Sequence, residues 1–310
     1  MRIGPQKSSD MVHEYAIEPD ALITWEALRF FEGKLGCGHG RLVAKYPSKW
    51  LHLVWERCAE TSTRKRLMFQ ETLARIGDRV IKTGRKYDDQ DDWLTNARRV
   101  HLAQPFHAII AIKPGDEPHI LCAEEITEET PRWAVLAGGT IPRTSEGLAE
   151  LSRPLLEIST NVRFVDQYFS CAARHGRPLV AMLEHAFSGR APSSVEYHLN
   201  ANGTGDWFRG ELEGIRRRLD LAGDASISFV RWRRVEGGEN MHARYILTNR
   251  GGIRIDYGLD TGEPGETSDW NLLDEATREQ RFKQFEKGAR VFELVDAWRV
   301  TAAGVSAIQW

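Results

Sequence analysis

Apolar positions along this chain change their spacing as it proceeds, and the changes mark off three stretches. Residues 1–12 carry little pattern and read as a loose terminus. Leu22, Trp25, Leu28 and Phe31 then recur at threes, which predicts a helix over 20–31 that Gly36 and Gly38 stop. Pro47 and the stripe Trp50, Leu53 and Val54 predict a second helix over 48–59, and 63–76 reads as a third. Residues 1–105 therefore read as a mainly helical adaptor domain, with Trp25, Phe30, Trp50 and Trp55 as core anchors.

Short β-type runs follow at 107–112, 119–123 and 133–137, with Pro114-Gly-Asp turning the first into the second as a hairpin. Residues 106–142 thus form a β-rich connecting segment. Beyond it helix and strand alternate. A helix over 144–157, capped by Thr144 or Ser145, leads to a strand over 162–169, and helical spacing resumes over 180–187. A strand at 195–199, a helix at 206–219 and a strand at 226–231 come next, and Gly251-Gly252 then turns a last pair of strands around His242 and Ile253. Alternating units of this kind imply an α/β fold, a mixed sheet between helices over 143–310. Asp166 falls near the carboxyl end of the first strand, where open α/β sheets keep their sites.

Composition narrows the reading only a little. Of 310 residues, 41% are hydrophobic and 28% charged, with a net charge of −2, so the chain has room for two cores and is no uniformly basic nucleic-acid coat. Cys37, Cys58, Cys122 and Cys171 include no CxxC pair, and no 18-residue apolar run or signal peptide is evident; a reduced, cytoplasmic protein with no membrane segment is expected. Cys37-Gly-His39 offers two zinc ligands without a second pair, so it reads as a glycine turn, and neither metal nor cofactor is expected. The basic run Arg64, Lys65 and Arg66 is offset by Asp88, Asp89, Asp91 and Asp92 and reads as a solvated face. Trp207-Phe208 and Trp232 could stack bases, but core packing explains them better.

The stretch richest in candidate chemistry is His242-Ala-Arg244-Tyr-Ile-Leu-Thr-Asn249. Strand alternation would put His242, Arg244 and Ile246 on one face, where an imidazole and a guanidinium fork together suit a phosphate group. Arg231 and Arg233, in a stretch rich in arginine, are further candidates for holding phosphate oxygens.

With these residues in view, the C-terminal half resembles a phospholipase D-like domain, most closely the branch found after MIT modules and its uncharacterised bacterial relatives. The matching pieces are Val165-Asp166-Gln167-Tyr168-Phe169, His242-Ala-Arg244-Tyr245 with Asn249 and Gly251-Gly252, Gly258-Leu259-Asp260, and Asp269-Trp-Asn-Leu-Leu-Asp274. The resemblance implies catalytic positions at His242, Arg244 and Asn249, with Asp166, Gly251, Gly252 and Asp260 around the substrate. It also implies two motifs per site, so this chain, with one, would complete an active site as a homodimer; His107 and His198 lack a cation two residues on, and His175, which has Arg177 there, has Gly176 between them and falls in a loop or helix start. The family's Lys and Asp are replaced here by Arg244 and Asn249. An amide orients an imidazole but does not balance its charge, so binding of a nucleic-acid backbone or a protein partner is expected, with a metal-independent phosphodiesterase or nuclease and an inert structural subunit as alternatives. A role in prokaryotic antiviral defence, with a protein partner on the N-terminal domain, is implied by the resemblance alone.

Overall fold

The structure, a computed structural model, describes residues 11–113, 115–188, 192–219 and 221–310. The chain is α/β and divides into two compact units, one through Ala137 and one from Gly138.

In the first unit β1 (His13–Ile17) leads through a 3-10 turn at Pro19–Leu22 to α1 (Trp25–Glu32), β2 (Arg41–Ala44), α2 (Trp50–Glu56), α3 (Thr63–Gly77), β3 (Val80–Ile81), α4 (Trp93–Ala103), β4 (Ala108–Ala111) and β5 (Ile120–Cys122). The strands form one parallel sheet in the order β3-β2-β1-β4-β5. A mainly helical N-terminal domain is therefore not what forms. Its helices exist, but α1, α2 and α3 cover one face of the sheet against Tyr15, Ile17, Val43 and Ile110. The other face, with Ala16, Ala44 and Ile109, packs on α4.

Strands β1 and β2 escaped sequence reading because a parallel sheet with both faces covered shows no alternation, and both are buried at every position, whereas β4 and β5 lie within the apolar runs 107–112 and 119–123. In β1 the disguise is stronger, since His13 and Glu14 look like surface residues. His13 stacks on His107 with ring centres 3.8 Å apart, and Glu14 is held by a buried ion pair with Arg85.

The expected hairpin is also corrected. Ile109 pairs with Ile120 in a parallel register, and strands of four and three residues are short enough for the chain to return without a helix. Pro114, assigned to its turn, lies outside the described residues, as do residues 1–10, while Met11 and Val12 are buried and not loose. No strand forms at 133–137. Trp133 instead fills the core beneath the Arg41 guanidinium, 4.3 Å from the ring centre.

The second unit contains β6 (Gly138–Pro142), α5 (Ser145–Glu157), β7 (Asn161–Val165), α6 (Ala173–Ser188), β8 (Ser194–Asn200), α7 (Gly205–Leu219), β9 (Ser226–Arg234), β10 (Arg244–Thr248), β11 (Gly252–Ile255), β12 (Thr267–Leu272), α8 (Glu275–Gln284), β13 (Phe292–Thr301) and β14 (Val305–Ala307). They build a nine-stranded mixed sheet, β14-β13-β9-β8-β7-β10-β11-β12-β6. Only β7, β8 and β9 run parallel; the strands flanking them are antiparallel. Thr144 caps α5 by accepting from Gly147 N at 3.0 Å, and Asp274 caps α8 by accepting from Thr277 N at 2.9 Å. Each such cap contributes about 1 kcal/mol.

Tyr197 and Phe229 line one face of this sheet, where Phe208 of α7 meets Phe229 edge-on. Val165, Trp232, Tyr245 and Leu247 line the other, together with Phe285, and Phe282 of α8 packs against them. A buried polar chain crosses the latter core: Arg163 donates to Glu196 at 2.6 Å, His198 meets the same carboxylate at 3.2 Å, and Trp232 Nε1 donates to His198 Nδ1 at 3.0 Å. Burial pulls the Glu196 carboxyl up, but the His198 hydrogen bond and the Arg163 charge outweigh it and hold the group below the usual carboxylate range.

Candidate functional site

Candidate chemistry collects where β7 ends and β10 begins, at the carboxyl edge of the parallel strands. Asp166, the first residue past β7, is buried, and both its oxygens are committed: Oδ1 accepts from Tyr168 N and Oδ2 from Leu259 N, each at 2.9 Å. It is a clamp between two loops and not a substrate contact. Gly258 makes the clamp possible, because a Cβ there would come within 2.8 Å of Asp260 Oδ1 and 3.3 Å of Asp166 Oδ2. Asp260 is likewise buried, paired with Arg143 at 2.7 Å and Arg174 at 3.5 Å. Behind the clamp His175 sits buried with its Nδ1 3.1 Å from Ser170 Oγ. Burial lowers its pKa, and the Asp166 and Asp260 charges oppose that shift. Burial pushes the Tyr197 hydroxyl far above its ordinary range, with the same two carboxylates adding to the effect.

The clamp presents Tyr168 and Tyr257 at the surface, 54% and 64% exposed. A guanidinium lies against each ring: Arg244 is 5.1 Å from the centre of Tyr168, and Arg143 is 5.1 Å from that of Tyr257. Arg244 spends one donor on Asp256 O at 3.2 Å, and its Nε is buried without a hydrogen-bond partner among the described residues.

His242 precedes β10, so the expectation that it alternates with Arg244 along a strand is corrected. Ladder pairing starts at Arg244, opposite Ile255, while His242 N turns back to Asn240 O at 2.8 Å. Met241 is anchored in the core beside it, and the imidazole is left exposed. Gln167 holds the ring. Asn200 Nδ2 donates to Gln167 Oε1 at 3.1 Å, which turns the Gln167 amide nitrogen to within 3.4 Å of both His242 Nδ1 and His242 O. With Nδ1 accepting, the proton of a neutral ring sits on Nε2. That nitrogen is then a donor, with no lone pair to offer phosphorus.

The remaining candidates lie elsewhere. Asn249 follows the far end of β10, about 16 Å from Arg244 at about 3.3 Å per residue. Its Oδ1 accepts from Thr160 N and Asn161 N at 2.9 and 3.1 Å, tying the turn to the start of β7. Gly251 and Gly252 belong to the same end: Gly251 O accepts from Thr248 N, and a Cβ on Gly252 would meet Leu273 Cδ1 at 2.9 Å. These three serve the turn, so the motif that looked continuous is split by its own strand. Arg231, 1% exposed, is held by Asp296 at 2.7 and 2.5 Å and by the carbonyls of Asn202 and Gly203. Arg233 is exposed and meets Glu293 at 3.4 Å. Its strand is separated from β10 by β8 and β7.

Of the other histidines, His198 is fully buried in the polar chain and His107 stacks on His13 in the first unit. Phe208 and Trp232 are core residues as expected, whereas Trp207 is exposed. No group of three metal-ligating side chains suited to an ion occurs among the described residues. In comparison with known proteins, no family model, no curated protein and no solved structure matches the chain.

Sequence reading had quoted Gln167 and Tyr168 only as part of a motif, and missed Arg143 and Tyr257 as members of this surface. Arg143 precedes α5 and Tyr257 follows β11, so only the sheet order, with β6 four places from β7, makes them neighbours.

Proposed function

We propose that the second unit binds the phosphodiester backbone of single-stranded nucleic acid without cleaving it, as a phospholipase D-like domain whose site has kept binding and lost turnover. One observation carries the reading: the Arg244 guanidinium, with donors to spare, lies against a half-exposed Tyr168 beside an exposed His242 that offers Nε2–H. A phosphate oxygen takes the Arg244 fork and the His242 donor, and a neighbouring base stacks on Tyr168 or Tyr257. Among the described residues the partner at His242 Nδ1 is the Gln167 amide and not a carboxylate, which argues against attack on phosphorus, since a carboxylate there is what keeps an imidazole Nε2 bare and stabilises the cation formed.

Fluorescence polarisation with a labelled oligothymidine, alongside gel analysis of the same strand in EDTA, tests both halves. Arg244→Ala and Tyr168→Ala are each expected to raise Kd about tenfold, which corresponds to about 1.4 kcal/mol. The strand is expected to stay intact. Shortening of the strand that disappears in His242→Ala would make the protein a phosphodiesterase instead, and equal affinity in all three proteins would remove nucleic acid from the reading.

A further inference from the structure

The first unit has a site of its own. Its strand order reverses at β1, with β2 on one side and β4 on the other, and a crevice opens outside the carboxyl ends of strands at such a point. A cavity of about 760 Å³ lies there, bounded by the turn after β1, the Ala27, Phe30 and Phe31 side of α1, the residues that follow β4 and those that follow β5. That volume suits a small organic ligand.

The lining indicates which kind. Phe30 and Ile112 are 41% and 42% exposed in a unit whose other aromatic side chains are mostly buried, and both face the cavity. A flat ring laid on them removes that apolar surface from water. Polar groups are few and mainly acidic: Asp20, held by Arg57 at 2.7 Å, and Glu124, with Lys113 the cation of the lining. Just beneath, Glu18 accepts from Ile112 N through Oε2 at 2.9 Å, and its Oε1 has no partner among the described residues. Carboxylates accept hydrogen bonds from hydroxyls and amines and repel phosphate. The turn after β1 reads Glu18-Pro19-Asp20-Ala21-Leu22, with none of the glycines that let a backbone close on a pyrophosphate.

We propose that the first unit binds an uncharged nucleoside in this crevice, its base on Phe30 and Ile112 and its sugar hydroxyls on the carboxylates of Asp20 and Glu124. The site is separate from the surface around Arg244, and its occupancy needs none of that surface's residues.

Isothermal titration of the full chain with adenosine, guanosine, cytidine, uridine and adenosine 5′-monophosphate tests it. At least one nucleoside is expected to saturate the protein. Phe30→Ser, at an exposed position, is expected to weaken it about tenfold, the worth of one stacked base. Glu124→Gln is expected to weaken it several-fold, and the monophosphate to bind less tightly than adenosine. Circular dichroism of both variants shows whether the fold is intact, and Ile112→Ser serves as the second apolar variant. No saturable nucleoside binding at millimolar concentration, or unchanged affinity in Phe30→Ser and Ile112→Ser, overturns the proposal. A monophosphate that binds more tightly than adenosine overturns the uncharged assignment. Phe30→Ser is expected to leave oligothymidine binding untouched, so failure here and failure of the second unit's function read out separately.

Discussion

Two arginines in the second unit show why residue type alone does not assign a phosphate contact. Arg231 and Arg244 both lie near the carboxyl edge of the parallel strands, yet the first is enclosed and ion-paired through two nitrogens to Asp296 while the second keeps donors free. Their substitutions should therefore fail in opposite ways. Arg231→Ala leaves the Asp296 carboxylate without its partner in a mostly buried setting and is expected to destabilise by about 3–5 kcal/mol, seen as a lower urea midpoint. Arg244→Ala is expected to leave that midpoint nearly unchanged and to reduce affinity for a single strand. A normal midpoint in Arg231→Ala would show that Asp296 finds water or another cation. Gln167→Leu separates the tautomer argument from simple packing: it removes the donor to His242 Nδ1 and is expected to cost several-fold in affinity, whereas an unaffected Kd would show that the ring needs no holding.

Elements were legible where residue spacing or a cap marked them, whether or not they touch water. Helices α3 and α7 could be read from the sequence because each has one wet and one dry side, α5 because Thr144 caps it, and strands β8 and β9 because Val195, Tyr197 and Leu199, and Ile227 and Phe229, alternate with polar residues even though both faces are buried. In the first sheet β4 and β5 showed as short apolar runs, whereas β1 and β2 did not, because they are short, dry on both faces and begin on polar residues. In β10 the alternation was applied two residues too far: the sequence His242-Ala-Arg244 is compatible with a strand, and only the anchoring of Met241 decides that the ladder starts later. The Asn249 end of the motif was misplaced for a related reason, since spacing counts residues while a strand carries them steadily away.

The histidines of the first sheet give this element a pH dependence. His13 on β1 stacks on His107 beside β4, and His101 of α4 stacks on His119 beside β5 with ring centres 3.8 Å apart. Burial, then the like charges of His107 and Arg41, hold His13 down to about 3. Burial, then Arg132, holds His107 down to about 4. Burial, then His119, Arg132 and Arg85, holds His101 down to about 4. Unfolded, each would take up a proton near 6.5. Between about pH 6.5 and 4 the unfolded chain therefore binds more protons than the folded one, so stability is full above the unfolded value and falls as the solution is acidified. The thermal midpoint of the first unit is expected to drop from pH 7 to pH 5, and His13→Phe to flatten that drop. A midpoint that is level across this range would contradict the neutral, stacked state of these rings.

At the scale of the whole molecule, two sheets of different design share one chain: a parallel one that places a crevice where its order reverses, and a mixed one that keeps parallel strands only at its centre. Each puts its candidate chemistry at the carboxyl ends of parallel strands, for the same reason that loops leaving those ends converge. No helix among the described residues is long and apolar enough to cross a membrane. Phospholipase D-like relationship, nucleic-acid binding and the homodimer that the resemblance implies remain our reading of the second unit, and a mass measurement in solution addresses the last of them. A dimer that brings two His242 residues together would restore a second imidazole to the site, but each ring would still face the Gln167 amide at Nδ1, so the strand is expected to stay intact in monomer and dimer alike.

The measurement that tests the central claim most directly is the salt dependence of oligothymidine affinity for the protein and for Arg244→Ala. Release of counterions from a neutralised single strand lowers log K with log salt concentration by about 0.7 per phosphate contacted. The account expects a negative slope for the unaltered protein and a slope smaller by roughly that one-contact amount in Arg244→Ala, with Tyr168→Ala weaker at every salt concentration but parallel to the parent. A slope near zero, or one that Arg244→Ala leaves unchanged, contradicts a phosphate held by this guanidinium.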